Sequence, residues 1–140
     1  MLRRLLPSLA IVVLAACPAL AEEKKTATAL KGTWVREVNN TIISFEFKDD
    51  KTFICRLRPS DGNDDNAVKA TCEYKLGKKG VMEFTITDID KKGLDNLPDK
   101  GSKFTFKVEP GKEKLVISDF AGDAATDEAK NIVNGEYTKK

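Results

Sequence analysis

Residues 41–58 read TIISFEFKDDKTFICRLR, and the alternation in this stretch decides the fold. In Thr41–Lys48 the side chains of Ile43, Phe45 and Phe47 fall on one face, and those of Ser44, Glu46 and Lys48 fall on the other. That is the two-residue period of a strand with one dry side. Asp49-Asp50-Lys51 turns the chain, and Thr52–Arg58 repeats the pattern with Phe53, Cys55 and Leu57 against Ile54, Arg56 and Arg58.

The pattern continues in both directions. Upstream, Leu30–Val38 predicts a strand that enters Thr41–Lys48 through Asn39-Asn40, a pair that tolerates positive φ in a two-residue hairpin. Downstream, the loop Pro59–Ala67 leads to Val68–Leu76, where Val68, Ala70, Cys72, Tyr74 and Leu76 share a face. Gly77–Gly80 turns into Val81–Ile89, with Met82, Phe84 and Ile86 inward. After the charged connection Asp90–Ser102, Lys103–Glu109 places Phe104, Phe106 and Val108 together, and Pro110-Gly111 leads to Glu113–Asp119. Ala124–Val133 predicts a short helix with Asp123 as N-cap and Asn134-Gly135 as its stop. It would present Ala125, Ala129, Ile132 and Val133 to the body, and Glu136–Lys140 then forms a last strand around Tyr137. About eight strands in meander order with one late helix predict an all-β sandwich or barrel.

Residues 1–21 are set apart from this pattern. Arg3 and Arg4 make a charged start, Leu5–Ala16 an apolar run too short to span a bilayer, and Ala19-Leu20-Ala21 a small-x-small cleavage pattern. Export to the periplasm or the medium follows, with Glu22 as the new N-terminus. Leu14-Ala15-Ala16-Cys17 also resembles a lipobox, so lipidation at Cys17 and membrane anchoring is the alternative. Residues 22–29 (EEKKTATA) are polar and aperiodic and predict a flexible leader, with the folded domain at 30–140.

The 140 residues predict one domain. Processing removes Arg3 and Arg4 and leaves 22 basic against 22 acidic side chains, so no field for nucleic acid exists. The absence of His removes Ser-His-Asp and Cys-His catalysis and every imidazole metal site. Two cysteines remain in an oxidising compartment, which predicts a Cys55–Cys72 disulfide. A hairpin centred in Asp61–Asn66 sets these two directly opposite, with Phe53 against Tyr74 and Leu57 against Ala70.

Two acidic stretches have the look of calcium loops and fail in detail. Asp61–Asn66 has Asn66 where Gly is needed and Cys72 where Glu is needed. Asp88–Gly93, with Asp99 at position twelve, carries Lys92 at a ligand position. Turn chemistry accounts for both, and no metal or cofactor is expected. Asn39-Asn40-Thr41 matches a glycosylation sequon but occupies a tight turn. Carboxylate pairs such as Asp64/Asp65 lie at loop tips, and no catalytic constellation is present, so no enzyme is expected.

Gly32-Thr33-Trp34 opens the first strand and resembles the G-x-W start of the lipocalins and wider calycins, notably small secreted bacterial lipocalin-like proteins. The resemblance implies an eight-stranded antiparallel up-and-down barrel whose Trp plugs one end under a basic C-terminal residue, here Lys139 or Lys140. It also implies a monomeric binding module for a small apolar or amphipathic ligand, whose binding residues stay open. Bacterial metalloprotease inhibitors are similar small exported barrels with a G-x-W opening, so a protein-binding factor using residues 22–29 is the alternative. Phe45, Phe47, Phe53, Phe84, Phe104 and Phe106 all point inward, enough bulk to fill a barrel of this size; a solid core would leave only a rim site, whereas an apolar cavity would favour ligand binding.

Overall fold

The computed structural model of the protein describes residues 24–123 and 125–140. Residues 1–21, expected to be an export segment and including Cys17 and Ala19–Ala21, lie outside the described residues, as does Ala124, the expected first residue of the late helix. Eight strands follow one another as β1 (Gly32–Val38), β2 (Thr41–Phe47), β3 (Thr52–Pro59), β4 (Val68–Leu76), β5 (Val81–Asp90), β6 (Lys103–Pro110), β7 (Lys114–Gly122) and β8 (Gly135–Lys139). Each pairs antiparallel with the next, and β8 returns to β1 through Trp34↔Lys139 and Val35↔Thr138. The result is a closed up-and-down barrel with no free edge.

Local chemistry sets the turns. Val38 pairs with Thr41, and the intervening Asn39 and Asn40 have φ of 52° and 59°, the left-handed pair that a two-residue hairpin requires. At the next turn Asp49 Oδ1 accepts from the backbone N–H of Lys51 and of Thr52, both at 2.8 Å. Alternation then carries one face of each strand inward. All six phenylalanines expected inside are buried, together with Trp34, Tyr74, Met82, Leu115, Ile117 and Tyr137.

Three local readings change. Residues 24–30, expected to lie largely in a flexible leader, are helical (α1), and Leu30 is fully buried at the end of that helix. Leu30 is the one large apolar side chain in an otherwise polar or alanine stretch, so no periodicity announced it. The late helix (α2) spans Asp127–Val133, and its N-cap is Thr126, whose Oγ1 accepts from Ala129 N at 3.1 Å. Asp123, expected in that role, instead accepts from Lys103 N at 3.1 Å.

The third change concerns the cysteines. Cys55 stands opposite Ala70 and Cys72 opposite Phe53, one pleat away from the expected register. The two thiols therefore sit diagonally on the same inner face, and both are free. Alternation determines register only to within two residues, since a two-residue slip keeps every side chain on its face. The shift overturns the expected Cys55–Cys72 disulfide and with it the expected pairs Phe53 with Tyr74 and Leu57 with Ala70, whose places are taken by Phe53 with Cys72 and Leu57 with Val68, while the inward face of each strand is kept.

Two β-bulges complete the barrel. Thr71 pairs with Asp88 but Cys72 with Ile86, so Thr87 is extra, and its hydroxyl donates to the Thr71 carbonyl at 3.1 Å. Thr105 pairs with Ala121 but Lys107 with Ser118, and within that irregularity Asp119 has φ of 57°. Each bulge resets the alternation by one residue. Ile89 joins Ile86 on the inner side, and Phe120 joins Ile117.

Candidate functional site

The two ends of the barrel are built differently. At the end where β1 begins, Trp34 is fully buried and its Nε1 donates to the Leu30 carbonyl at 2.8 Å, so α1 and the indole together seal the opening. Lys139 Nζ lies 5.5 Å from the Trp34 ring centroid on the adjacent strand, within cation–π range. Gly32, with φ of 120°, leaves room for the stem of this lysine, since a Cβ there would stand 3.3 Å from Lys139 Cε. The backbone N–H of Lys140 bonds the Thr33 carbonyl instead. Gly32, Trp34 and Lys139 are therefore brought together as a closure of the barrel.

The opposite half encloses a cavity of about 380 Å³. Its floor is a cycle of four rings: Phe45 to Phe53 at 5.6 Å, Phe53 to Phe84 at 5.1 Å, Phe84 to Phe106 at 4.7 Å, and Phe106 to Phe45 at 5.8 Å. Above that floor β3 and β4 present small or slender side chains, Cys55, Val68, Ala70 and Cys72. Ile86 and Ile89 of β5 and Phe104 and Phe120 close the other walls. The inward phenylalanines do not fill the whole interior. The aromatic bulk settles into the lower half, and the narrow residues of β3 and β4 leave the upper half open.

A roof covers the cavity. Leu94, Leu97 and Pro98 of the β5–β6 loop and Ala129, Ile132 and Val133 of α2 face into it. Leu94, at the lip, is half exposed. Polar lining comes from Thr41, Asn96, Thr126 and Glu128.

The roof helix is pinned through its last turn, whose carbonyls have no partner within the helix. Arg36 occupies the same face of β1 as Trp34, two residues on, and its side chain reaches α2. Its Nε donates to the Ile132 carbonyl at 3.3 Å and its Nη2 to the Asn131 carbonyl at 3.5 Å. Tyr137 Oη donates to the Val133 carbonyl at 2.6 Å, and Asn134 Oδ1 accepts from Phe120 N at 3.0 Å. A guanidinium at a helix C-terminus also faces the negative end of the helix dipole. Gly135 makes the path possible. Its φ is 149°, and a Cβ there would overlap the Arg36 guanidinium. Sequence reading missed Arg36 and Gly135 as a pair; the available signal was the placement of Arg36 on the Trp34 face.

The two thiols of the cavity wall are held in their neutral form. Burial raises the Cys72 thiol to about 12. Burial, and then the neighbouring Cys72, push Cys55 higher still. Both are neutral at ordinary pH and serve as apolar wall, because the thiolate is the reactive form. The acidic loops are engaged locally: Asp64 pairs with Arg58 at 3.1 Å, Asp90 with Lys92 at 3.2 Å, and Asp99 with Lys91. Among the described residues no cluster of three or more His, Cys, Asp or Glu side chains forms a metal-binding group.

In comparisons with known proteins, no family model, no curated protein and no solved structure matches the chain. The closed eight-stranded antiparallel up-and-down barrel fits a lipocalin-like fold on its own geometry.

Proposed function

We propose that the protein is an exported, non-enzymatic, lipocalin-like module of the small secreted bacterial kind, holding a small apolar or amphipathic ligand inside its barrel. The observation that carries this reading is the roofed cavity of about 380 Å³ with a phenylalanine floor, in the size range of small-molecule sites. At the roughly 30 Å³ that a water occupies in the liquid, it admits about a dozen non-hydrogen atoms. The alternative, a protease inhibitor that inserts residues 22–29 into a cleft, is not favoured. Residues 24–29 are helical and run directly into the buried Leu30.

The test is titration with decan-1-ol, a neutral single-chain probe, followed by backbone amide chemical shifts. Saturable one-to-one binding is expected, with shifts concentrated on β3, β4 and α2. Ala70→Phe, which projects a ring into the cavity, is expected to weaken binding at least tenfold while the barrel stays folded. No binding by the unaltered protein, or equal binding by Ala70→Phe, overturns the reading. Export is tested separately by the mass of the processed chain, which distinguishes an N-terminus at Glu22 from an acylated Cys17.

A further inference from the structure

The lining of the cavity is asymmetric in a way that names a ligand class. Its floor and walls are hydrocarbon, aromatic or neutral thiol, and its polar side chains come from the start of β2, the β5–β6 loop and α2 with its N-cap. Among the described residues that line it, Glu128 is the one charged group. It stands in the first turn of α2, and it has no hydrogen bond or ion pair among the described residues. Of the cations on the roofing segments, Lys100 and Lys130 are not among the residues that line the cavity, and the others near it are engaged elsewhere. Lys91 pairs with Asp99 and Lys92 with Asp90, while Arg36 is held by the carbonyls at the far end of α2.

Resting on the binding reading above, we propose that the cavity selects a cationic amphiphile. Its apolar tail enters the barrel and its primary ammonium stays at the mouth beside Glu128. An ammonium carries three donors and no acceptor. Besides the Glu128 carboxylate, the lining carries two neutral acceptors, the side-chain carbonyl of Asn96 and the hydroxyl oxygen of Thr41. A carboxylate head of the same length would meet Glu128 as a like charge, with no free cation lining the cavity to offset it. The negative mouth thus discriminates by repulsion as well as by attraction.

Three probes with the same ten-carbon chain separate the possibilities: decylammonium, decanoate and decan-1-ol, titrated at neutral pH and low salt. Decylammonium is expected to bind about three- to fivefold more tightly than decan-1-ol, as for an exposed ion pair, and decanoate more weakly than either. Glu128→Gln is expected to bring decylammonium to the level of decan-1-ol without changing decan-1-ol itself. Glu128→Lys is expected to invert the order of the two ions, and high salt to compress it. If decan-1-ol binds but the two ions bind equally, or if Glu128→Lys leaves their order unchanged, the cationic assignment is wrong and the cavity reading stands. If none of the three binds, both fail together.

Discussion

The Nε of Arg36 donates to the carbonyl oxygen of Ile132 across 96 residues of sequence, and so ties the first strand of the barrel to the helix that roofs its cavity. Two structural requirements meet in this contact. The last-turn carbonyls of α2 need donors, and the half-buried Arg36 guanidinium needs acceptors for the donors that it withdraws from water. Arg36→Met keeps the apolar stem and removes the donors. It is expected to cost about 1–2 kcal/mol and to speed amide exchange across α2 while the strands stay protected. Unchanged exchange in residues 129–134 would show that the helix is held by packing alone.

Gly135→Ala is expected to be more damaging than its size suggests. The residue adopts a φ of 149°, which L side chains rarely adopt, and the new methyl would displace the Arg36 guanidinium. A loss of about 1–3 kcal/mol follows from strain together with the broken contact. The combined variant Arg36→Met, Gly135→Ala is expected to lose less than the sum of the two single losses. Strict additivity in denaturant titrations would refute the coupling.

Lys139→Met removes the cation above Trp34 while preserving much of the stem. About 0.5–1 kcal/mol of stability should disappear, and Lys139→Arg should retain it. Trp34 is the single tryptophan of the chain, so its emission reports this end of the barrel directly. Identical stability in the Met and Arg variants would reduce Lys139 to a spacer.

Because Cys55 and Cys72 are free and diagonal rather than opposite, reductant is expected to leave the unfolding transition where it is. A melting temperature that falls when reductant is added would restore a covalent link between them.

The same thiols give stability a pH dependence of definite sign. Burial holds Cys72 near 12, above its ordinary 9.0, and burial followed by the nearby Asp49 and Asp50 lifts Tyr74 from 10.0 to about 12. The unfolded chain therefore loses these protons first. Their contribution is complete below pH 9 and declines as pH rises toward 12. Urea midpoints should fall through that window, and the Cys55→Ala, Cys72→Ala variant should show a flatter decline at its lower end. Parallel curves for the variant and the parent would rule out the thiols as its source.

Much of the barrel was legible in the chain. The face of every residue in β2 followed from Ile43, Phe45 and Phe47, because strand geometry imposes a period of two. The Asn39-Asn40 hairpin was legible because few residue pairs accept two consecutive positive φ values. The candidate site was not legible to the same degree. Ile89 and Phe120 reach the cavity through bulges at Thr87 and near Asp119, and an inserted residue leaves no mark in a hydrophobic pattern until its partner strand is known. Arg36 drew no reading, since its acceptors lie on α2. Glu128 drew none either, since its place in the cavity lining depends on where that helix lands.

The amino-acid sequence by itself determined which side chains face inward up to the bulges of β5 and β7, how many strands there are and where most of them turn. Those are local properties, governed by side-chain alternation and by the conformations that Asn, Asp and Gly allow. Only the tertiary structure decided whether the interior was full. Slipping one strand by two residues preserves every face yet moves Cys55 from Cys72 to Ala70. Volume depends on which side chains meet across the barrel, and that is a property of strand register and of the bulges that reset it.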